Sequence, residues 1–163
     1  MIFVTVGSQM PFPRLVQAVD EWAQRNPAVE VLAQVGSDTS YRPSALKAFA
    51  SVSPARYAEL VARCDVVVAH AGMGSVLTAL EHGKPMILMP RRGALKETRN
   101  DHQVATLRWL EHRPGIYPAA DEAGLKAALD LWRQRGMSPP EAAEDSGSDS
   151  LQSLITTLRA FIG

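Results

Sequence analysis

The stretch DVVVAHAGMGSVLTALEHGKP, residues 65–85, decides how this chain is read. Its apolar opening, bounded by Asp65 and His70, has the length and β-branched character of a strand over 65–70. His70-Ala71-Gly72-Met73-Gly74-Ser75 then turns the chain into a helix that runs to about His82, where Gly83-Lys84-Pro85 stops it. Two glycines in such a turn let backbone approach a ligand closely, and the new helix offers N–H groups and a positive dipole end. A diphosphate suits that chemistry, with Ser75 as a hydroxyl donor and His70 as a neutral or charged donor. A tight turn needing glycine for its dihedrals leaves the same trace, so both readings stand at this point.

Outward from this stretch, short apolar runs alternate with amphipathic segments, the pattern of a parallel sheet covered by helices on both faces. Strands are expected at 2–6, buried on both faces, at 29–35, more weakly at 48–52, at 86–89 and at 115–117. Helices are expected at 12–25, from the Ser53-Pro54 cap to Arg63, from Asn100 to about Glu111, and from the Asp121 cap to about Arg135. The fold class is therefore α/β and Rossmann-like, with ligands at the carboxyl ends of the strands. Residues 1–135 form this domain. Residues 136–150, GMSPPEAAEDSGSDS, have the composition of a flexible linker. Residues 151–163 carry a helix whose stripe is Leu151, Leu154, Ile155, Leu158, Phe161 and Ile162. That stripe packs on this domain or on a partner.

The 163 residues fit one domain, with 46% hydrophobic and 21% charged side chains. Seventeen basic and seventeen acidic residues balance to zero, which gives no reason to expect nucleic acid as a partner. The single Cys64 has no internal disulfide partner. The N-terminus, MIFVTVGSQ, reads as a first strand and not a signal peptide, and no stretch has the length of a membrane span. The chain is expected in the cytoplasm, with any contact to the inner membrane face peripheral and through a partner.

Two further segments fall at the same sheet edge. Gly7-Ser8-Gln9 leaves the first strand, where Gly7 and Ser8 add backbone donors or simply turn the chain. Asn100-Asp101-His102-Gln103 reads as a capping box, Asn100 at the cap and Gln103 three residues on, or as polar groups for sugar hydroxyls. Arg91-Arg92 follows Pro90; basic residues beside a diphosphate would stabilise a departing nucleotide, and at least one of the two is expected to be a solvated loop charge instead. GMGSVL lacks the third glycine of a dinucleotide fingerprint, and Gln34-Val35 stands where a ribose-binding acid would end the second strand. GxxxxGK[ST] and a DxD-like motif are both missing, so neither a P-loop ATPase nor a metal site is expected, nor any cofactor.

IFVTVGSQMPF, HAGMGSVLTALEHGKP and NDHQ, in that order, resemble the C-terminal, donor-binding domain of family 28 glycosyltransferases, one half of a GT-B fold. The likeness runs from Met1 to about Leu110. Within the family the chain is similar to small catalytic subunits of two-component enzymes, namely bacterial exopolysaccharide transferases and the eukaryotic subunit adding N-acetylglucosamine to a dolichol-linked sugar. The resemblance implies diphosphate contacts from His70, Gly72, Gly74 and Ser75, and donor-sugar contacts from His102 and Gln103 with Asp101 beside them. It implies that Gly7 and Ser8 face the diphosphate and acceptor. Where many relatives carry a ribose-binding glutamate this chain has Thr78, with Glu81 one turn later.

The implied reaction is an inverting, metal-independent transfer from a UDP-sugar to a lipid-linked acceptor. His70 and His102 are the catalytic candidates, and a membrane-associated partner subunit supplies the acceptor domain and the base. The chain alone is expected to transfer little. The alternatives are a non-enzymatic UDP-sugar-binding module, for which Thr78 speaks, and an epimerase-like enzyme, for which only Asp101 and Glu97 offer carboxylates.

Overall fold

The computed structural model describes residues 1–37, 40–139 and 155–156. Six strands form one sheet: β1 Ile2–Thr5, β2 Val31–Gln34, β3 Lys47–Phe49, β4 Val66–His70, β5 Met86–Met89 and β6 Ile116–Pro118. Their order is β3-β2-β1-β4-β5-β6, and every pairing is parallel. The helices are α1 Pro13–Gln24, α2 Pro54–Arg63, α3 Met73–Glu81, α4 His102–Leu110 and α5 Glu122–Arg135. The sheet is the expected α/β, Rossmann-like one.

The near-continuous apolar strands follow from burial on both faces. Alternation along β1 sends Ile2 and Val4 to one layer and Phe3 to the other. In the first layer Leu15, Val19 and Trp22 of α1 meet Leu125 and Leu129 of α5 over Val68 and Ile87. In the second, Leu60 of α2, Val76 and Leu80 of α3, and Leu107 and Leu110 of α4 pack on Phe3, Val67 and Leu88. Trp22 reaches its buried position because its Nε1 donates to Asp130 Oδ1 at 2.7 Å.

The helix starts follow their caps. Ser53 Oγ accepts from Arg56 N at 3.3 Å, and Asp121 Oδ1 accepts from Gly124 N at 2.8 Å. The third strand is shorter and earlier than the 48–52 of the sequence reading. It is an exposed edge strand, paired on one side only, so burial does not mark its ends. A helical residue with no sequence signature holds its approach. Asp20, buried in α1, accepts from Ala45 N at 2.8 Å, Ser44 N at 3.1 Å and Tyr41 Oη at 2.8 Å.

Residues 140–150 of the expected linker lie outside the described residues, as does the expected terminal helix apart from 155–156. Those two are helical, and Ile155 is buried in the second layer with Phe3, Leu107 and Ile116. At Ile155 the stripe therefore packs on this chain's own core. Among the described residues, no helix is long and apolar enough to cross a membrane.

Candidate functional site

The strand order reverses between β1 and β4, the point where a doubly wound sheet opens a crevice at its carboxyl edge. A cleft of about 800 Å³ lies there. It is lined by Gly7 and Ser8 after β1, by His70, Gly72, Gly74, Ser75 and Thr78 around the β4–α3 turn, and by His102 and Gln103 of α4. Nine of the ten residues singled out in the sequence thus converge. Asp101 is the exception.

His70 organises the turn. A Cβ on Gly72 would stand 2.1 Å from His70 Nε2, and one on Gly7 would stand 2.8 Å from His70 Cε1. Gly7 also has φ of +78°, where glycine is favoured. Both glycines are needed because the imidazole fills the space their side chains would take. Gly74 is different. Among the described residues nothing lies within 4 Å of its would-be Cβ, and its φ is not positive, so neither dihedral nor packing requires glycine there. The tight-turn reading consequently fails for Gly72 and Gly74 and holds only for Gly7.

Gly72 is the N-cap of α3 and has no side chain to cap it, so the first-turn N–H groups are not satisfied by the cap residue. Ser75, at N3, is 8% exposed and faces the cleft. Behind it Tyr57 of α2 packs edge-on against Phe3 at 5.5 Å, with its buried hydroxyl beside the side chains of Ser75 and Thr5. Burial pushes the Tyr57 phenol up. Burial also pushes the His70 imidazole down to about 4, helped by the Arg91 guanidinium and partly offset by the Thr5 carbonyl. His70 is therefore neutral at physiological pH.

The α4 side corrects the capping-box expectation. The helix begins at His102 with Asp101 at the cap, and Asn100 Oδ1 accepts from His102 N at 3.2 Å, not from Gln103. Asn100 Oδ1 also contacts His102 Nδ1. Gln103 turns inward, only 5% exposed, and its Oε1 accepts from Arg91 N at 3.0 Å. Asp101 Oδ1 accepts from Gly93 N at 2.8 Å, which fixes its carboxylate on the loop after β5 and outside the cleft lining. Thr78 Oγ1 donates to Gly74 O at 3.1 Å, and Glu81 also lines the cleft.

Of the two arginines after Pro90, Arg91 is the one that faces the cleft. It is 4% exposed and lines the cleft, while Arg92 lies nearer solvent and donates through Nη2 to Ala120 O at 2.6 Å. Arg91 and Tyr57 are the site residues that sequence reasoning did not commit to. The Pro90-Arg91-Arg92 run was the available signal for the first, and nothing local marked the second. Among the described residues, no three His, Cys, Asp or Glu side chains gather as metal ligands.

The solved structures that this chain resembles share the fold. An NMR solution structure of ALG13 superposes with a TM-score of 0.59 at 24% identity, covering 85% of this chain and 87% of that one. The Streptomyces sp. SF2575 glycosyltransferase SsfS6, complexed with thymidine diphosphate, gives 0.58 at 21% identity, over 98% of this chain and 35% of that one. A UDP-glucose: anthocyanidin 3-O-glucosyltransferase in complex with UDP gives 0.59 at 18%, over 99% and 36%. The chain thus spans most of the first and about a third of the other two. No curated protein sequence matches it significantly. The profile of the glycosyltransferase family 28 C-terminal domain matches residues 1–156, and the chain belongs to that family.

Proposed function

We propose that this chain is the nucleotide-sugar-binding catalytic subunit of an inverting, metal-independent glycosyltransferase. It moves a sugar from a UDP-sugar to a lipid-linked acceptor in polysaccharide synthesis and works with a membrane-associated partner subunit. The observation that carries this reading is the start of α3: a helix N-terminus with no side-chain cap, opening at Gly74 into the cleft at the sheet's switch point. The nucleoside diphosphates bound in two fold relatives, thymidine diphosphate and UDP, support it.

In the proposed reaction the acceptor hydroxyl attacks the anomeric carbon. The bond from that carbon to the diphosphate oxygen breaks, its electron pair leaves with the nucleotide, and the acceptor proton passes to a base. Negative charge grows on the diphosphate, where preorganised N–H donors lower the barrier most. The first turn of α3 and the Ser8 N–H are those donors; the Gly7 N–H is already donated to Thr5 Oγ1 at 3.2 Å, and His70 holds the two loops in place. Gln103 keeps its Oε1 on Arg91 N, which leaves its Nε2 to orient the sugar beside His102. Thr78 takes the ribose, with Glu81 one turn away.

A base must have a pKa near the working pH to accept a proton efficiently. His70, held at about 4, does not, which supports the dependence on a partner. A binding module without turnover is the second reading, favoured by Thr78, whose hydroxyl is already bonded to Gly74 O. One assay separates the two. The chain is incubated with labelled UDP-sugar, chelator, and membranes with or without the partner, and the anomeric configuration of lipid-linked product is determined. Inverted product that needs the partner and tolerates chelator supports the proposal. Binding of the sugar nucleotide with no transfer under any of these conditions favours the module.

A further inference from the structure

We propose that Arg91 is a positioning residue of this cleft: its buried guanidinium fastens the loop after β1 to the loop after β5 and sets a fixed positive charge that selects ligands bearing a diphosphate. The inference rests on the nucleotide-sugar reading and adds to it a residue and a basis for selectivity.

The fastening is direct. Arg91 Nη2 donates to Val6 O at 2.8 Å and also to Met10 O, bracketing the Gly7–Gln9 segment. The Phe12 ring centroid lies 5.1 Å from its guanidinium carbon and 5.3 Å from that of Arg14. Its backbone N–H is held by Gln103, so one residue ties together three segments that line the cleft.

The charge is the more informative part. Among the described residues, no carboxylate comes within ion-pair distance of Arg91. Glu97, on the same loop, is committed elsewhere: it accepts from Arg14 Nε at 2.6 Å, Arg14 Nη2 at 2.8 Å and Arg92 N at 2.9 Å. Carbonyl oxygens and an aromatic face satisfy some of the guanidinium's donors but do not neutralise it. Among the described residues, Arg91 Nε is buried with no partner. A guanidinium stays charged under burial, and Glu97 acts on it only at longer range, so the buried charge costs stability that a nearer anionic group would offset. An anion in the cleft is that group, and its arrival is favoured for the same reason.

The test uses the whole chain. Calorimetric titrations with UDP and with uridine are compared for the native protein, Arg91→Gln and Arg91→Lys. Removing a charged hydrogen-bonding partner predicts a UDP Kd raised about 10-fold or more in Arg91→Gln. Uridine binding is expected to stay within about 2-fold, since no charge is involved, and Arg91→Lys to recover part of the UDP affinity. Equal loss of UDP and uridine, or no loss of UDP, overturns the inference. Should Arg91→Gln not fold, the native protein still decides the matter through the Arg91 Nε–Hε resonance. That resonance is expected to shift with UDP and not with uridine. If it stays fixed while the Gly74 amide moves with UDP, the inference fails and the nucleotide-sugar reading survives. If native protein binds no UDP at all, that reading fails and takes the inference with it.

Discussion

At the scale of single residues, the two glycines of the β4–α3 turn do different work, and substitution separates them. Gly74 occupies a helical position whose Cβ would meet nothing, so alanine there removes backbone freedom from the unfolded chain. Gly74→Ala is expected to raise stability by roughly 0.5–1 kcal/mol while weakening UDP binding, as read from urea unfolding and calorimetry. Gly72→Ala drives a methyl into His70 Nε2 and should cost about 1–3 kcal/mol. His70 makes a second prediction. Its folded pKa of about 4 lies below the ordinary 6.5, so as pH falls the unfolded chain takes up a proton that the folded chain refuses. The stability this group confers is complete above pH 6.5 and is lost progressively toward pH 4. Urea midpoints measured down that range should converge between native protein and His70→Gln; parallel curves would contradict it. The sequence marked His70 and both glycines, but not that Gly7 and Gly72 are glycine to admit the same imidazole. That contact joins residues 7, 70 and 72 across two strands, and no local spacing encodes it.

At the scale of elements, caps and alternation were legible and tertiary ties were not. Ser53-Pro54 announced α2, and Ser53→Ala should cost about 1 kcal/mol of stability in thermal or urea unfolding. The start of α4 was misread because Asn100 and Gln103 stand at capping-box spacing. Gln103 instead bonds the backbone of Arg91 and Asn100 bonds His102, so tertiary partners prevailed over a local pattern. The exposed edge strand β3 lacked the burial that writes period-two alternation into a sequence, and its position slipped accordingly. Asp20 was invisible for a related reason. It looks like one more polar residue on α1, yet it anchors the segment leading into β3 through Ser44 and Ala45. Asp20→Ala leaves those N–H groups without their acceptor and should cost about 2–3 kcal/mol. Faster hydrogen exchange over residues 41–49 would locate the loss.

At the scale of the whole molecule, a 3-2-1-4-5-6 order brings the exits of β1 and β4 together, and the cleft follows from topology before any side chain is considered. This was the most legible level, because alternation of apolar runs with amphipathic helices fixes a parallel sheet. The same architecture supports the proposed partner dependence, since the cleft proposed to hold the diphosphate surrounds a histidine too acidic to serve as base. The purified chain is therefore expected to bind a sugar nucleotide yet give no measurable lipid-linked product until the partner is added. The central claim, that the turn leaving β4 holds the diphosphate, is tested most directly by mapping backbone amide shifts during a UDP titration. The largest changes should fall at residues 72–75, with Gly7 and Ser8 next. Saturable binding that leaves those amides unmoved, or no binding at all, would contradict the account.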